Sequence, residues 1–318
     1  MKNIKYTCLA LALISLLSCQ ETKDKSQQSM MLERNDLTAP VAEKKAEKLT
    51  THGDTRIDNY YWMKLSDEQK NAENSDEQTK KVIAYLEAEN DYKKDMTGHL
   101  DDVQDKLFDE IVGRIKQTDM SVPYFKNDYY YLTRYEEGKE YPIYSRKKGS
   151  LEASEEIMLD VNQLAEAFEY FSARGLTVSP DNKILAYGED TLSRRIYTLK
   201  FKNIETGEYY DDVIENTTGS LTWANDNKTV FYTRKDDALR AYKIFKHRLG
   251  TPSTDDVEVY HEEDKTFSCY VYKSKSEKFI IIGSYATLSN EFRYLDANNP
   301  DGDFSLFDER QRELEYTI

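Results

Sequence analysis

One segment of the sequence recurs at nearly constant spacing, and this repeat constrains the fold more than any other feature. Residues 176–187 align with residues 221–232 at an offset of 45, and residues 271–282 form a weaker copy 50 residues further on. Each copy has the pattern strand, polar turn, strand, and each is followed by a second hairpin. A unit of this length with four antiparallel strands is typical of a β-propeller blade, which buries its faces against neighbouring blades.

The repeat predicts a mainly β protein: a partial propeller of about four blades, preceded by an N-terminal helical segment. The 25 tyrosines in the chain agree with this class, because tyrosine favours strands. A β-sandwich is the alternative, but it does not require the same turn at a fixed offset. We expect residues 121–318 to form an incomplete propeller, truncated where Leu306 and Phe307 open a fifth blade.

A helical pattern precedes the strands, within residues 49–120. Apolar residues recur there at intervals of three and four, which predicts a helix between Thr79 and Lys116 with one buried face. We expect this stripe to face a core. Its members are Tyr92, Met96, Leu100, Val103, Leu107 and Ile111.

The start of the chain indicates export. A short basic end precedes an apolar run at residues 8–17, which has the length of a signal-peptide core and is too short to span a bilayer. The run ends in Leu-Leu-Ser-Cys, which resembles the lipobox of bacterial lipoproteins and implies that Cys19 carries the lipid.

We therefore expect residues 1–18 to be a signal peptide and residues 19–48 a polar, lipoprotein-type tether. The protein would be lipid-anchored to the membrane on the periplasmic or cell-envelope side. Secretion into the periplasm without a lipid and an uncleaved apolar segment are the alternatives. A formal net charge of −15 argues against nucleic acid as a partner.

The sequence offers no recognisable catalytic or ligand-binding motif. No serine lies in a Gly-x-Ser-x-Gly nucleophile elbow, and no glycine-rich phosphate loop is present. Cys269 is expected to be a buried small hydrophobic residue. The histidines share no metal-ligand spacing, so we expect structural or surface roles for them and predict no catalytic residue, cofactor or metal. They are His52, His99, His247 and His261.

Longer stretches resemble the prolyl oligopeptidase family of serine peptidases, and within it oligopeptidase B. The resemblance begins with His-Gly-Asp-Thr-Arg-Ile-Asp-Asn-Tyr-Tyr-Trp at residues 52–62 and extends from about Pro40 to Ile318. The other matching stretches are residues 85–90, 110–117, 135–144, 194–197, 213–217 and 223–226.

This resemblance implies a seven-bladed propeller that covers an α/β-hydrolase domain, with the Ser, Asp and His of the active site in the C-terminal half. The helical segment would help to build the hydrolase side. Such enzymes cut short peptides, oligopeptidase B after Arg or Lys, and a basic side chain requires carboxylates in the pocket. We expect this chain to lack that half, as a gene fragment or split product would, and to be inactive alone. A stand-alone secreted propeller lipoprotein, binding or scaffolding, is the alternative.

Overall fold

The computed structural model describes residues 37–318, which divide into two compact units along the chain, with the boundary between Ile115 and Lys116. In the first unit, an antiparallel hairpin precedes a 3-10 turn at Tyr61–Met63 and three helices. The hairpin strands are β1 (Glu47–Thr51) and β2 (Asp54–Asp58). The helices are α1 (Asp67–Lys70), α2 (Glu77–Thr97) and α3 (Asp101–Gly113).

The helical segment differs from its prediction in two respects. The sequence predicts one helix, but a 3-10 turn at Gly98–Leu100 separates α2 from α3. The expectation that the apolar stripe faces a core is wrong for its second half, because α3 has no buried residue. Val103, Leu107 and Ile111 are 47%, 52% and 60% exposed. Nothing in the described part of this unit buries that face of α3.

The second unit contains four groups of four antiparallel strands, which we call blades 1 to 4. Blade 1 comprises β3 (Tyr124–Lys126), β4 (Tyr129–Arg134), β5 (Ile143–Lys148) and β6 (Glu155–Asp160), and is followed by the short helix α4 (Val161–Ala165). Blade 2 comprises β7 (Ser172–Val178), β8 (Ile184–Asp190), β9 (Tyr197–Asn203) and the first part of β10 (Tyr209–Trp223).

Blade 3 begins with the last part of β10 and continues through β11 (Thr229–Lys235), β12 (Ala241–Arg248) and β13 (Val257–His261). Blade 4 comprises β14 (Ser268–Lys273), β15 (Phe279–Tyr285), β16 (Asn290–Asp296) and β17 (Ser305–Leu306). The predicted four-blade architecture is confirmed. Leu306 does not open a fifth blade: β17 pairs with β16 as the outer strand of blade 4.

The fifteen-residue strand β10 joins two blades. Its pairing with β9 ends at Thr217, and its pairing with β11 shifts register between Thr217 and Leu221. The seven strands from β7 to β13 therefore form one hydrogen-bonded sheet. Thr217 lies where β10 changes its pairing partner, and its hydroxyl donates to the Tyr197 carbonyl at 2.9 Å and accepts from the Gly219 amide at 3.0 Å.

Three glycines allow β10 to lie in close contact with β7 and β8 of blade 2. A Cβ at Gly175 would lie 2.1 Å from the Gly219 carbonyl oxygen, and a Cβ at Gly188 would lie 2.5 Å from the Gly219 Cα. Real Cβ atoms do not approach backbone this closely. Gly175 and Gly219 also have φ angles of +65° and +85°, which glycine adopts without steric cost.

The cores lie between adjacent blades, because successive side chains on a strand point to opposite faces. On β11, Val230 and Tyr232 pack into the cluster between blades 2 and 3, whereas Phe231 packs into the cluster between blades 3 and 4. On β8, Leu185 and Tyr187 face blade 1 instead. Burying such a side chain contributes about 1.5–3 kcal/mol, so each blade depends on its neighbours for stability.

Candidate functional site

The turns between the first and second strands of the blades lie side by side. Asn182, Asn227 and Glu277 occupy equivalent positions in the three sequence repeats, and each has a left-handed φ, of 64°, 61° and 58°. Asn182 Nδ2 donates to the Asn127 carbonyl of blade 1 at 3.2 Å. The Asp181 amide of blade 2 donates to Asn227 Oδ1 of blade 3 at 2.8 Å.

The same side of the second unit carries a polar cavity of about 180 Å³ with lining residues from all four blades. Asn225 Nδ2 donates to the Glu277 carbonyl at 3.2 Å, which links blade 3 to blade 4. Lys126 Nζ lies 2.8 Å from Glu277 Oε1, which links blade 4 to blade 1. The hydrogen bond from Lys126 lowers the pKa of Glu277, and burial lowers the pKa of Lys273 on the cavity wall.

A larger cavity of about 660 Å³ lies between blades 1 and 2. Tyr124, Tyr131 and Tyr144 line its blade 1 side, and the Tyr124 and Tyr131 rings stack with centroids 5.1 Å apart. Burial raises the pKa of all three hydroxyls, so they remain protonated hydrogen-bond donors at neutral pH. Arg174 and Thr177 of β7 line the opposite side.

These two cavities provide aromatic faces, hydroxyl groups and a few charges. Such groups can hold polar chain segments such as peptides, because they offer hydrogen bonds and apolar contact together. Sequence reasoning missed the larger cavity, because Tyr129-Tyr130-Tyr131 indicates only a strand. The cavity forms where side chains from β3, β4 and β5 of blade 1 meet those from β7 of blade 2, and the pattern within one strand does not reveal this contact between blades.

The predicted site residues fall in different places. Cys19 lies outside the described residues. His52, His99 and His261 are exposed, as a surface role requires, whereas His247 is 1% exposed and lies between two carboxylates. Within residues 37–318, no histidine nitrogen has a hydrogen bond to a serine hydroxyl or to Cys269.

Cys269 is 1% exposed, which confirms the predicted burial, and burial raises the pKa of its thiol to about 12. In the described part of the chain, no group of three or more His, Cys, Asp or Glu side chains is arranged to hold a metal ion. None of the helices described there combines the length and apolar character that a membrane span requires.

The domain model described as "Prolyl oligopeptidase, N-terminal beta-propeller domain" matches residues 40–318. The chain belongs to the prolyl oligopeptidase family. This match covers the whole second unit and much of the first, and it agrees with the four blades.

Two curated relatives are similar over most of this chain. Dipeptidyl aminopeptidase BI from Pseudoxanthomonas mexicana is 38% identical over 292 residues, which cover 87% of this chain and 39% of the relative. Protease 2 from Moraxella lacunata is 32% identical over 286 residues, which cover 88% of this chain and 40% of the relative. The chain therefore spans about two fifths of the length of these relatives.

Solved structures give the same result. Oligopeptidase B from Leishmania major is similar with a TM-score of 0.77 at 28% identity, over 88% of this chain and 41% of that chain. Oligopeptidase B from Trypanosoma brucei has the same TM-score at 26% identity and the same coverage. The resemblance predicted from the sequence is confirmed at the level of family and fold.

Proposed function

We propose that this chain is the propeller part of an oligopeptidase B-like serine peptidase that hydrolyses short peptides after Arg or Lys. The observation that carries the proposal is the TM-score of 0.77 with oligopeptidase B over 88% of this chain. The 32% identity with Protease 2 over a similar length supports it. The arrangement of blades, rather than any reactive side chain, is what this chain shares with those enzymes.

In this proposal the chemistry belongs to an α/β-hydrolase domain that these 318 residues do not contain. Peptide hydrolysis by a serine peptidase requires a nucleophile, a base with its orienting carboxylate, and an oxyanion hole in one place. Carboxylates that select Arg or Lys would lie in the same domain. The propeller would allow only short, unfolded peptides to reach the active site, and its polar cavities would contact these peptides.

We further propose that acylated Cys19 anchors the protein to a membrane on the periplasmic or cell-envelope side, after cleavage of a signal peptide. The lipobox-like Leu-Leu-Ser-Cys sequence supports this location. A soluble propeller held by a polar tether could then act on peptides that enter the envelope.

A second candidate activity is the removal of dipeptides from peptide N-termini. The 38% identity with a dipeptidyl aminopeptidase favours it, because this identity exceeds the 32% identity with Protease 2. A third hypothesis is a function other than catalysis, in which the propeller binds or scaffolds partners and takes no part in hydrolysis.

The first test uses the purified 318-residue chain. We expect no hydrolysis of blocked arginyl or lysyl peptides and no labelling by a serine-directed fluorophosphonate, with Protease 2 from Moraxella lacunata as the positive control. Stoichiometric labelling of a serine in the 318-residue chain would show that it contains its own nucleophile. That result would contradict the proposal that the nucleophile lies in a separate hydrolase domain.

A further inference from the structure

His247 has carboxylates on both ring nitrogens. Its Nδ1 lies 2.6 Å from Asp256 Oδ1, and its Nε2 lies 3.0 Å from Asp212 Oδ1. The His247 side chain is fully buried, and those of the two aspartates are 5% exposed or less. Phe201 covers the face of the imidazole, with ring centroids 6.1 Å apart and planes inclined by 22°.

This geometry favours a doubly protonated ring between two ionised carboxylates. Neutral imidazole has one N–H, so it would present a nitrogen lone pair to one of the two carboxylates. Imidazolium donates to both Asp212 and Asp256. Burial alone lowers the pKa of His247, but the hydrogen bonds to Asp256 and Asp212 outweigh burial and raise the pKa above the ordinary value of 6.5.

The three side chains connect different parts of the second unit. Asp212 lies on the first part of β10, in blade 2, and His247 lies on β12, in blade 3. Asp256 ends the segment between β12 and β13. At the other end of that segment, the Gly250 amide donates to Asp212 Oδ1 at 2.6 Å. Residues 249–256 are therefore tied to the same network at both ends.

The remaining polar groups around Asp256 do not titrate near neutral pH. Tyr232 on β11 donates its hydroxyl to Asp256 Oδ2 at 2.8 Å, and Arg234 Nη2 donates to the Tyr232 oxygen at 3.1 Å. Burial and the bond to Asp256 raise the pKa of Tyr232 above its ordinary value. Arginine stays charged throughout the relevant range. Both oxygens of Asp256 are thus occupied, and His247 is the group that changes charge.

We propose that Asp212, His247 and Asp256 form a proton-dependent clamp that ties residues 249–256 and blade 2 to blade 3 and opens when the imidazole loses its proton. Asp256 lines a surface cavity of about 430 Å³ with Arg234, so opening the clamp alters the shape and charge of that cavity. The clamp's contribution to stability is fully present below about pH 6.5 and is lost as pH rises through the higher pKa of the folded state.

The first test measures urea unfolding of the full chain between pH 6 and 9, followed by intrinsic fluorescence. Within the window between the unfolded and folded pKa, a proton held in the folded state alone changes the folding equilibrium constant by up to tenfold per pH unit. Wild type and His261→Gln should lose stability above pH 6.5 in this way. His261 is the matched control because it is exposed and lies 3.7 Å from Glu258. His247→Gln should lack that slope.

A second measurement does not depend on the folding of a variant. The His247 Cε1–H signal in the NMR spectrum of the wild type should titrate with a midpoint above the ordinary histidine pKa of 6.5. Hydrogen exchange of the Gly250 amide should accelerate more than the base-catalysed rate as His247 titrates. A His247 signal that titrates at or below pH 6.5, or an unchanged pH slope in His247→Gln, would overturn the proposal.

Discussion

Because β10 lies in close contact with β7 and β8, the loss of stability caused by one added methyl group can be predicted. Gly188 lies in β8 without a left-handed φ, so Gly188→Ala adds only a contact, with its Cβ 2.5 Å from the Gly219 Cα. Ordinary contact begins at 3.4 Å, and the opposing atom is backbone, which cannot rotate away. Overpacking of this kind costs about 1–3 kcal/mol, and we expect that loss in the free energy of unfolding.

Two further variants separate the contact from the backbone conformation. Gly207→Ala tests conformation alone, because Gly207 has a φ of +76° and its Cβ would meet only the end of the Lys202 side chain, at 4.0 Å. A left-handed alanine costs about 1–2 kcal/mol. Gly175→Ala combines both penalties, with its Cβ 2.1 Å from the Gly219 carbonyl oxygen, and should cost about 2–5 kcal/mol.

The assay is urea unfolding at a fixed pH, with the free energy extrapolated to water. The expected order of destabilisation places Gly175→Ala above both single-effect variants. A cost below about 0.5 kcal/mol for Gly188→Ala, which is typical of an unconstrained surface site, would refute the close contact between β8 and β10.

Three other outcomes are expected. Arg146→Met should lower the free energy of unfolding by about 2 kcal/mol in the urea assay, because the buried guanidinium donates to the Asn182 carbonyl of blade 2 at 2.8 Å. The control Arg312→Met lies at an exposed site and should change the free energy of unfolding by less than about 0.5 kcal/mol. In a variant whose one cysteine is Cys269, a thiol reagent at pH 8 should react only after unfolding, since the thiol is buried and its pKa is raised to about 12. Wild-type protein should fractionate with membranes and Cys19→Ala should not, and a wholly soluble wild type would contradict the lipid anchor.

The repeat predicts the blades because each turn and its two flanking strands are determined by residues that are neighbours in the sequence. Asn182 and Asn227 each follow an aspartate in a polar turn between two apolar strands, and asparagine tolerates the left-handed φ that these turns require. Turn and strand pattern are both visible in a dozen consecutive residues. The third copy has Glu277 at that position, which weakens its sequence match, although its φ of 58° is similar.

Other features depend on contacts that sequence spacing does not reveal. Asp212 and Asp256 lie 35 and 9 residues from His247, and no local pattern indicates that blade packing brings them together. A helical stripe likewise shows that one face is apolar but not what covers it, so Val103 is 47% exposed despite its periodic position. The sequence predicts a new blade at Leu306 because an apolar pair indicates a strand without identifying its partner, and the structure pairs this strand with β16 of blade 4.

The most direct test of the central claim joins the 318-residue chain in frame to the part of Moraxella lacunata Protease 2 that follows its matched segment. The measurement is kcat/KM for an N-terminally blocked arginyl substrate and for an unblocked dipeptidyl substrate of the same leaving group. We predict that the chimera hydrolyses the blocked arginyl substrate, and that the 318-residue chain alone hydrolyses neither. A folded chimera without activity on either substrate, or hydrolysis by the 318-residue chain alone, would contradict the claim that this chain serves a peptidase as its propeller.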